Sequence, residues 1–359
     1  MSTTGSVRLA LPGKGALESA TMSFLAECGM KVSRSNPRQY LAQMKSMPEL
    51  EIVFQRATDV PALVQSGDAA LGITGYDILA EHRGYGDEEA EEEDHDENLM
   101  VLERDLGYGN CRLVIAVPET WIDVSNCADL WHLSGYYREH KGRGLRIATK
   151  YPILTTQFLR RHNITHCKIF SPHGALEAAP LTDTADLIVD LTETGTTLRE
   201  NHLKLLPDGV VLRSQSCLIA NARLLQQQPT ALRVTETMLE LIEARVRARN
   251  KAMLTAEVHA GNYEEMQALC VRMNQCLHAI AAGVEFRVVT SEVSGTVEPG
   301  WYTLSGVVNI GASAPELLEI VAVLRSSGAA RMNVVPLTYR FAEASVNVKA
   351  LRERLKRLS

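Results

Sequence analysis

None of the seven cysteines of this sequence (Cys28, Cys111, Cys127, Cys167, Cys217, Cys270 and Cys276) belongs to a C-x-x-C pair. A zinc site or a disulfide framework is therefore not expected. The cysteines fall mostly in apolar strand or helix patterns, as the reduced, buried thiols of an intracellular protein do. A basic excess is also missing. The net charge is -6, much of the acidity sits in one run, and no cationic face for nucleic acid is expected. No apolar run is long enough to span a bilayer, and the N-terminus enters a strand without an apolar leader. A soluble, cytoplasmic chain with neither nucleic-acid nor membrane partners is the expectation. G-x-x-x-x-G-K-[ST] and G-x-G-x-x-G are both absent, which removes the P-loop and the dinucleotide fingerprint. There is no internal repeat. At 359 residues the chain should form two or three domains with real cores.

What the sequence does contain is organised around Ala185 to Leu198, ADLIVDLTETGTTL. Ala185 to Val189 reads as a buried strand closed by Asp190, and a turn rich in hydroxyls and glycine leads into a helix at Leu198. Such a turn aims backbone N–H groups and threonine hydroxyls at one point, which suits a phosphate. Asp190 can accept hydrogen bonds from sugar hydroxyls, and with Glu193 it offers carboxylates to a magnesium ion. The plainer reading is a strand-to-helix turn with a threonine N-cap.

Before this stretch, strands alternate with helices. Val7 to Leu11 is a strand ending in Pro12-Gly13-Lys14-Gly15, with an apolar helix face at Leu17, Ala20, Phe24, Leu25 and Cys28. Asn36-Pro37-Arg38 is a turn, and Glu51 to Arg56 is a strand. Asp59 is expected to N-cap a helix with Pro61 in its first turn. The small-residue strand from Ala69 to Gly75 signals close approach of something to the backbone, and a helix starts at Tyr76-Asp77. The acidic run 87–97 is expected to be a solvated, disordered loop. Strands follow at Leu99 to Leu106 and Cys111 to Val117, then irregular sequence from Trp121 to Gly144. Next come a strand at Leu145 to Thr149, a helix at Ile153 to His162, a strand at His166 to Phe170 and a short helix carrying Glu177. After the central stretch come a long strand, Val210 to Asn221, and a long amphipathic helix, Pro229 to Met253. The alternation up to Asn221 argues for α/β domains with mainly parallel sheets. From about Ala252 the order strand, helix, strands, helix, strand fits a small ferredoxin-like α+β domain without obvious chemistry.

With these pieces in order, the chain resembles the ATP phosphoribosyltransferase family of histidine biosynthesis, in its long form. The resemblance covers nearly the whole length and rests on specific stretches: LALPGKG (9–15), RATDVPALV (56–64), ALGITGYDIL (70–79), LGYGNCRLVIAVP (106–118), RIATKYP (146–152), GALEAAP (174–180), the central stretch (185–198) and RSQSCLIAN (213–221). It implies an α/β, bilobal catalytic part of the type II periplasmic-binding-protein kind, followed by an ACT-like regulatory domain. Lobe one would comprise 1–109 and 206–251 with a linker helix, lobe two 110–205, and the regulatory domain 252–359. The cleft would lie at the carboxyl ends of the strands.

The resemblance further implies a magnesium-dependent transfer of phosphoribose from phosphoribosyl pyrophosphate (PRPP) to N1 of ATP. Feedback inhibition by histidine and a homo-hexamer in exchange with a dimer belong to the same picture. Thr192, Thr194, Gly195, Thr196 and Thr197 would meet PRPP, mainly its 5′-phosphate, with Asp190 on the ribose hydroxyls and Glu177 as a second carboxylate. Arg56 and Lys14 would meet pyrophosphate and ATP phosphates, with Arg38 and Arg112 as further cations that equally suit structural ion pairs. No nucleophile–base pair is present, so no covalent intermediate is expected. The histidine-site residues within 252–359 are not assigned.

Two places depart from the family pattern. Where the family has V-D-L-G-I, this chain has Ala70, and Asp68 lies two residues and about 6.6 Å along the strand from it. If that aspartate works in the cleft, the chain is a weakened relative that senses nucleotide or PRPP without turnover. Leu269 to Trp301 is longer than the family norm and carries Gly283, Gly295 and Gly300. A solute-binding transport protein is a third reading, by fold analogy alone.

Overall fold

The computed structural model describes residues 6–34, 36, 38–84, 98–172, 174–278, 285–289, 300–310 and 314–358. The acidic run 87–97, Pro37, Gly283 and Gly295 lie outside the described residues. The chain opens with β1 (Val7–Pro12), α1 (Ala16–Glu27), β2 (Val32–Ser33), β3 (Leu41–Met44), β4 (Leu50–Gln55), α2 (Val60–Ser66), β5 (Leu71–Gly75), α3 (Tyr76–Arg83) and β6 (Leu99–Glu103). It continues through β7 (Cys111–Pro118), α4 (Cys127–Lys141), β8 (Leu145–Thr149), α5 (Pro152–Arg161), β9 (Cys167–Phe170), β10 (Leu187–Thr192), α6 (Thr196–Glu200) and β11 (Leu203–Ser214). Then come β12 (Ser216–Asn221), α7 (Ala222–Gln227) and α8 (Pro229–Ala248).

The strands form two mixed sheets, ordered β2-β3-β4-β1-β5-β12-β6 and β11-β7-β10-β8-β9. β4-β1-β5 run parallel in the first sheet and β10-β8-β9, out to the β9 edge, in the second. The other pairings are antiparallel, so the sheets are not mainly parallel as expected. Parallel strands need cover on both faces, hence the continuous burial of β5. Gly72 in β5 has no room for a side chain: a Cβ there would lie 2.6 Å from Val60 Cγ1 and 2.8 Å from Val64 Cγ2 of α2. The close approach signalled by the small residues is thus helix packing.

The chain crosses between sheets twice, after Leu106 and at Gln215. Tyr108 O accepts from Ser216 N at 3.0 Å, so the two crossings lie side by side. The return at Gln215 is later than the sequence boundary at 206. β11 keeps pairing with β7 as far as Ser214 opposite Cys111, so the expected single strand 210–221 is two strands in different sheets.

Four local readings are corrected. The stretch from Trp121 to Gly144 contains α4, opened by a capping box in which Asn126 Oδ1 accepts from Asp129 N and Asp129 Oδ2 from Asn126 N. Glu177 sits in consecutive turns rather than a helix. Asp59 precedes α2 without a side-chain cap, and α8 stops at Ala248, before the left-handed Asn250 (φ 55).

The chain forms two compact units, one of residues 1–239 and 346–359 and another of 240–345. The second unit has β13 (Lys251–His259), α9 (Tyr263–His278), β14 (Glu285–Val289), β15 (Trp301–Asn309), α10 (Ala314–Ser326) and β16 (Ala329–Pro336) in an antiparallel sheet ordered β14-β15-β13-β16. That is the ferredoxin-like arrangement expected, with Leu254, Val258, Met266, Leu304, Ile320 and Leu324 in its core. The last helix, α11 (Val346–Arg357), belongs to the first unit, so the boundary at 252–359 is corrected at both ends. There Arg352 pairs with Glu236 and Asn347 donates to Glu103.

Candidate active site

The threonine-rich turn is positioned by strand pairing on both sides. Val189 of β10 lies opposite Thr149 of parallel β8, while Asp190 and Thr192 lie opposite Val114 and Arg112 of antiparallel β7. Directly paired residues share a face, so Asp190, Thr192 and Arg112 project to the same side. Beyond the strand, Gly195 takes a left-handed conformation (φ 78), and its N–H donates to Thr192 Oγ1 at 2.8 Å. Thr194 and Thr196 hydroxyls are 2.9 Å apart. The first intrahelical bond of α6 runs from Arg199 N to Gly195 O, so the amides of Thr196, Thr197 and Leu198 precede it. No threonine side chain caps α6. Glu177, Thr192, Glu193, Thr194, Thr196, Thr197 and Cys111 line an open pocket over this turn.

Asp190 is half-buried at the strand end. Burial raises its carboxyl above the ordinary range and the charge of Glu177 adds to this, while the Leu191 amide (2.8 Å) and Lys150 oppose. The carboxylate felt at Asp190 is Glu177 rather than Glu193, which is exposed on the turn. Arg112 is half-buried and has no ion pair among the described residues, which removes its structural-pair reading. Lys150, overlooked in the sequence, follows β8 directly and acts on Asp190 from the neighbouring strand.

At the other end of β10 the strand is held by a charge cluster. Asp186 is only 7% exposed. It accepts from Arg143 Nη1 and Nη2 at 2.5 and 2.9 Å and from Arg146 N at 2.7 Å, with Arg146 Nη2 at 3.0 Å. Burial alone would raise this carboxyl, but the two guanidiniums outweigh it and hold it well below the ordinary range. Asp186 belongs to the central stretch and Arg146 to RIATKYP, so the cluster registers two motifs against each other.

In the first sheet, Pro12 of β1 lies opposite Gln55 of β4, and Gly13 N donates to Gln55 O at 2.7 Å. Lys14 and Arg56 therefore emerge at the carboxyl ends of adjacent parallel strands. Both are exposed, without ion pairs among the described residues. Arg38 is exposed too, its amide bonded to Asn36 Oδ1. Ala70 is elsewhere. It precedes β5, its N–H donating to Arg8 O and its carbonyl accepting from Asn221 N. The carboxyl end of β5 is five residues on, roughly 16 Å away.

The carboxyl ends of the two sheets meet at Asp77, a 4%-exposed residue in the first turn of α3. Its Oδ1 accepts from Ser214 Oγ at 2.6 Å and its Oδ2 from Tyr151 OH at 2.5 Å, while its own N–H donates to Ser214 Oγ at 2.8 Å. Cys111 stands beside this group, and burial together with the Asp77 charge pushes its thiol up to about 11. A neutral thiol is no nucleophile at physiological pH. Asp77 and Tyr151 were not singled out from sequence. Their signal was a tyrosine at the N-cap before Pro152, a place it cannot cap.

Among the described residues no three His, Cys, Asp or Glu side chains converge as a metal cage, and no helix is long and apolar enough to cross a membrane. A family model described as ATP phosphoribosyltransferase matches residues 56–245. The chloroplastic ATP phosphoribosyltransferase 1 of Arabidopsis thaliana is 34% identical over 345 residues, 94% of this chain and 78% of its own. The ATP phosphoribosyltransferase of Brucella melitensis is 41% identical over 245 residues, 68% of this chain and 98% of its own. Among solved structures, an ATP phosphoribosyltransferase (HisG:HisZ) complex from Thermotoga maritima matches at 27% identity over 66% of this chain and 98% of that chain, with a TM-score of 0.47.

Proposed function

The chain belongs to the ATP phosphoribosyltransferase family, and from that premise we propose how its residues carry out the transfer. The reaction is the first step of histidine biosynthesis. Adenine N1 of ATP bonds to C1′ of PRPP, and the electron pair of the broken C1′–O bond leaves with pyrophosphate. N1 is a weak nucleophile, so the protein has to stabilise the leaving group and the cationic sugar and align the two reactants. Alignment can contribute on the order of 7–11 kcal/mol in favourable cases.

The observation that carries the assignment is the pocket over the threonine turn, which joins Glu177, Thr192, Thr194, Thr196 and Thr197 in one wall. Thr194, Gly195, Thr196 and Thr197 receive the 5′-phosphate, with helix-start amides and hydroxyls as donors. Asp190 binds the ribose hydroxyls, and the neighbouring Glu177 places a second negative charge near the developing oxocarbenium carbon. Arg112, opposite Thr192, supplies a cation beside the phosphate, while Arg56 and Lys14 take the pyrophosphate and ATP phosphates. Arg38 has no contact that supports the same role.

Magnesium fits this donor set. It is commonly held by one or two carboxylates together with substrate phosphate oxygens, and Asp190 with Glu177 offers such a pair. When bound, the ion supplies charge neutralisation on pyrophosphate. The unit 240–345 serves as the regulatory domain and takes histidine as feedback inhibitor, a reading supported by its ferredoxin-like order and its separate core. The enzyme works in the cytoplasm as a homo-hexamer exchanging with dimers. The test is to mix the protein with ATP, PRPP and magnesium: absorbance near the adenine band should rise as N1-(5-phosphoribosyl)-ATP forms. No product from folded protein across metals and pH would overturn the reading.

A further inference from the structure

The two sheets of the first unit are joined beside the cleft by α3 and α5, and the bonds between these helices complete a helix start that its own sequence leaves open. Tyr151 is the N-cap of α5 but makes no cap bond to it, and Pro152 has no N–H. The first intrahelical bond is Thr155 N to Tyr151 O, so the amides of Ile153 and Leu154 have no acceptor within α5. Both are taken across the sheet boundary by Glu81 of α3, one per carboxylate oxygen, at 2.8 and 3.0 Å. Four residues earlier on α3, Asp77 receives the Tyr151 hydroxyl at 2.5 Å. Three residues later, the Gly84 carbonyl accepts from Gln157 Nε2. Positions 77 and 81 share one side of α3, and the Gly84 carbonyl lies just past its C-terminal end, so the three bonds form a single seam.

We propose that Glu81 is a positioning residue of the transferase, capping α5 from the opposite lobe and so holding the ribose-phosphate wall in register with Arg56 and Lys14. Lys150, which acts on Asp190, directly precedes Tyr151 and Pro152, so fixing the start of α5 fixes that cation too. A carboxylate at a helix start is favoured by the helix dipole and makes charge-assisted bonds to both amides. Without it the lobes would spend less time in the aligned arrangement. Substrates would then have to supply the closing free energy, which weakens apparent binding while leaving the bound complex as reactive as before.

The inference rests on the transferase reading, and the test separates the two. Steady-state kinetics with ATP, PRPP and magnesium are compared for the unaltered protein, Glu81→Gln and Glu81→Ala, with thermal melts to establish folding. KM for both substrates should rise about fivefold or more in Glu81→Gln, and further in Glu81→Ala, with kcat within about twofold. Unchanged KM values in folded Glu81→Gln, even with a lowered melting temperature, would reduce Glu81 to a structural cap and overturn the proposal. A fall in kcat larger than the rise in KM would overturn it too. Glu81→Gln is nearly isosteric and keeps one acceptor, so the test survives if Glu81→Ala does not fold. Absence of turnover in the unaltered protein would instead count against the transferase reading.

Discussion

The hydroxyl of Tyr151 donates to Asp77 Oδ2 at 2.5 Å, joining the carboxyl end of β8 to that of β5 across the two sheets. Burial and the neighbouring Asp77 charge raise the Tyr151 phenol, so it stays a neutral donor throughout the physiological range. Tyr151→Phe removes that donor and leaves Asp77 with Ser214 as its remaining side-chain partner. An under-satisfied buried carboxylate costs about 1–3 kcal/mol. Denaturant unfolding should report a loss of that size, with a lower midpoint and an unchanged slope. A variant as stable as the parent would show that the bond contributes nothing net.

Asp190 carries a cost of the opposite kind. Its folded carboxyl is raised above the ordinary 3.8, mainly by burial and then by Glu177. A raised carboxyl favours the folded state while protonated, and that contribution is lost as pH rises from about 4 through the folded value. At neutral pH the charged Asp190 therefore strains the ligand-free protein. Asp190→Asn should raise the melting temperature at pH 7, shrink that gain as pH approaches 4, and weaken PRPP binding by at least several-fold. Melting curves across pH beside calorimetric PRPP titrations decide it, and a variant destabilised at pH 7 contradicts the assignment.

The sequence made the alternating strands, the ferredoxin-like order and the threonine turn visible because each is local: apolar periodicity marks strands and helices, and Gly195 among threonines marks the turn. It hid whatever depends on distant partners. Gln215 separates two strands of different sheets inside one continuous β pattern, since the chain stays extended as it crosses. Asp186 reads as an interruption of an apolar run until Arg143 and Arg146 are seen around it. Lys150, Asp77 and Tyr151 lie within the family-like motifs, but single residues do not report which side chains converge on them. In α4 the capping box Asn126-x-x-Asp129 was legible, masked by the run of aromatic and histidine residues that follows, of which Tyr137 is buried and Tyr136, His132 and His140 are exposed.

The Asp186 cluster makes a second pH prediction with the reverse sign. Its carboxyl is held well below the ordinary 3.8, so its stabilisation is fully present above that value and is lost as pH falls through the lowered one. Asp186→Asn leaves two guanidiniums without their shared carboxylate. The Arg143 side chain is 36% exposed, so part of that charge is rehydrated. The cost should be roughly 2–3 kcal/mol, below the full penalty for breaking a buried pair. Chemical denaturation at pH 7 measures it, and the deficit should narrow only below about pH 4. PRPP affinity should fall as well, because β8 and β10 lose their register.

Ala70 separates a working enzyme from a weakened one. A site missing its metal carboxylate would regain rate when the carboxylate is restored. Ala70, however, precedes β5, bonded through its backbone to Arg8 and Asn221. Lys14 and Arg56 emerge at the opposite ends of their strands, and Asp77 stands just beyond the carboxyl end of β5. An aspartate at position 70 would face Arg8, Asp68 and Leu224, which line the pocket at that amino end, and a side chain spanning a few ångströms cannot bridge roughly 16 Å of strand. Ala70→Asp should therefore leave kcat and both KM values within about twofold while lowering stability, since Ala70 is buried, Arg8 is already paired with Glu51 and Asp68 repels the new charge. A large gain in kcat would return the aspartate to the chemistry and require a path between the two ends of β5.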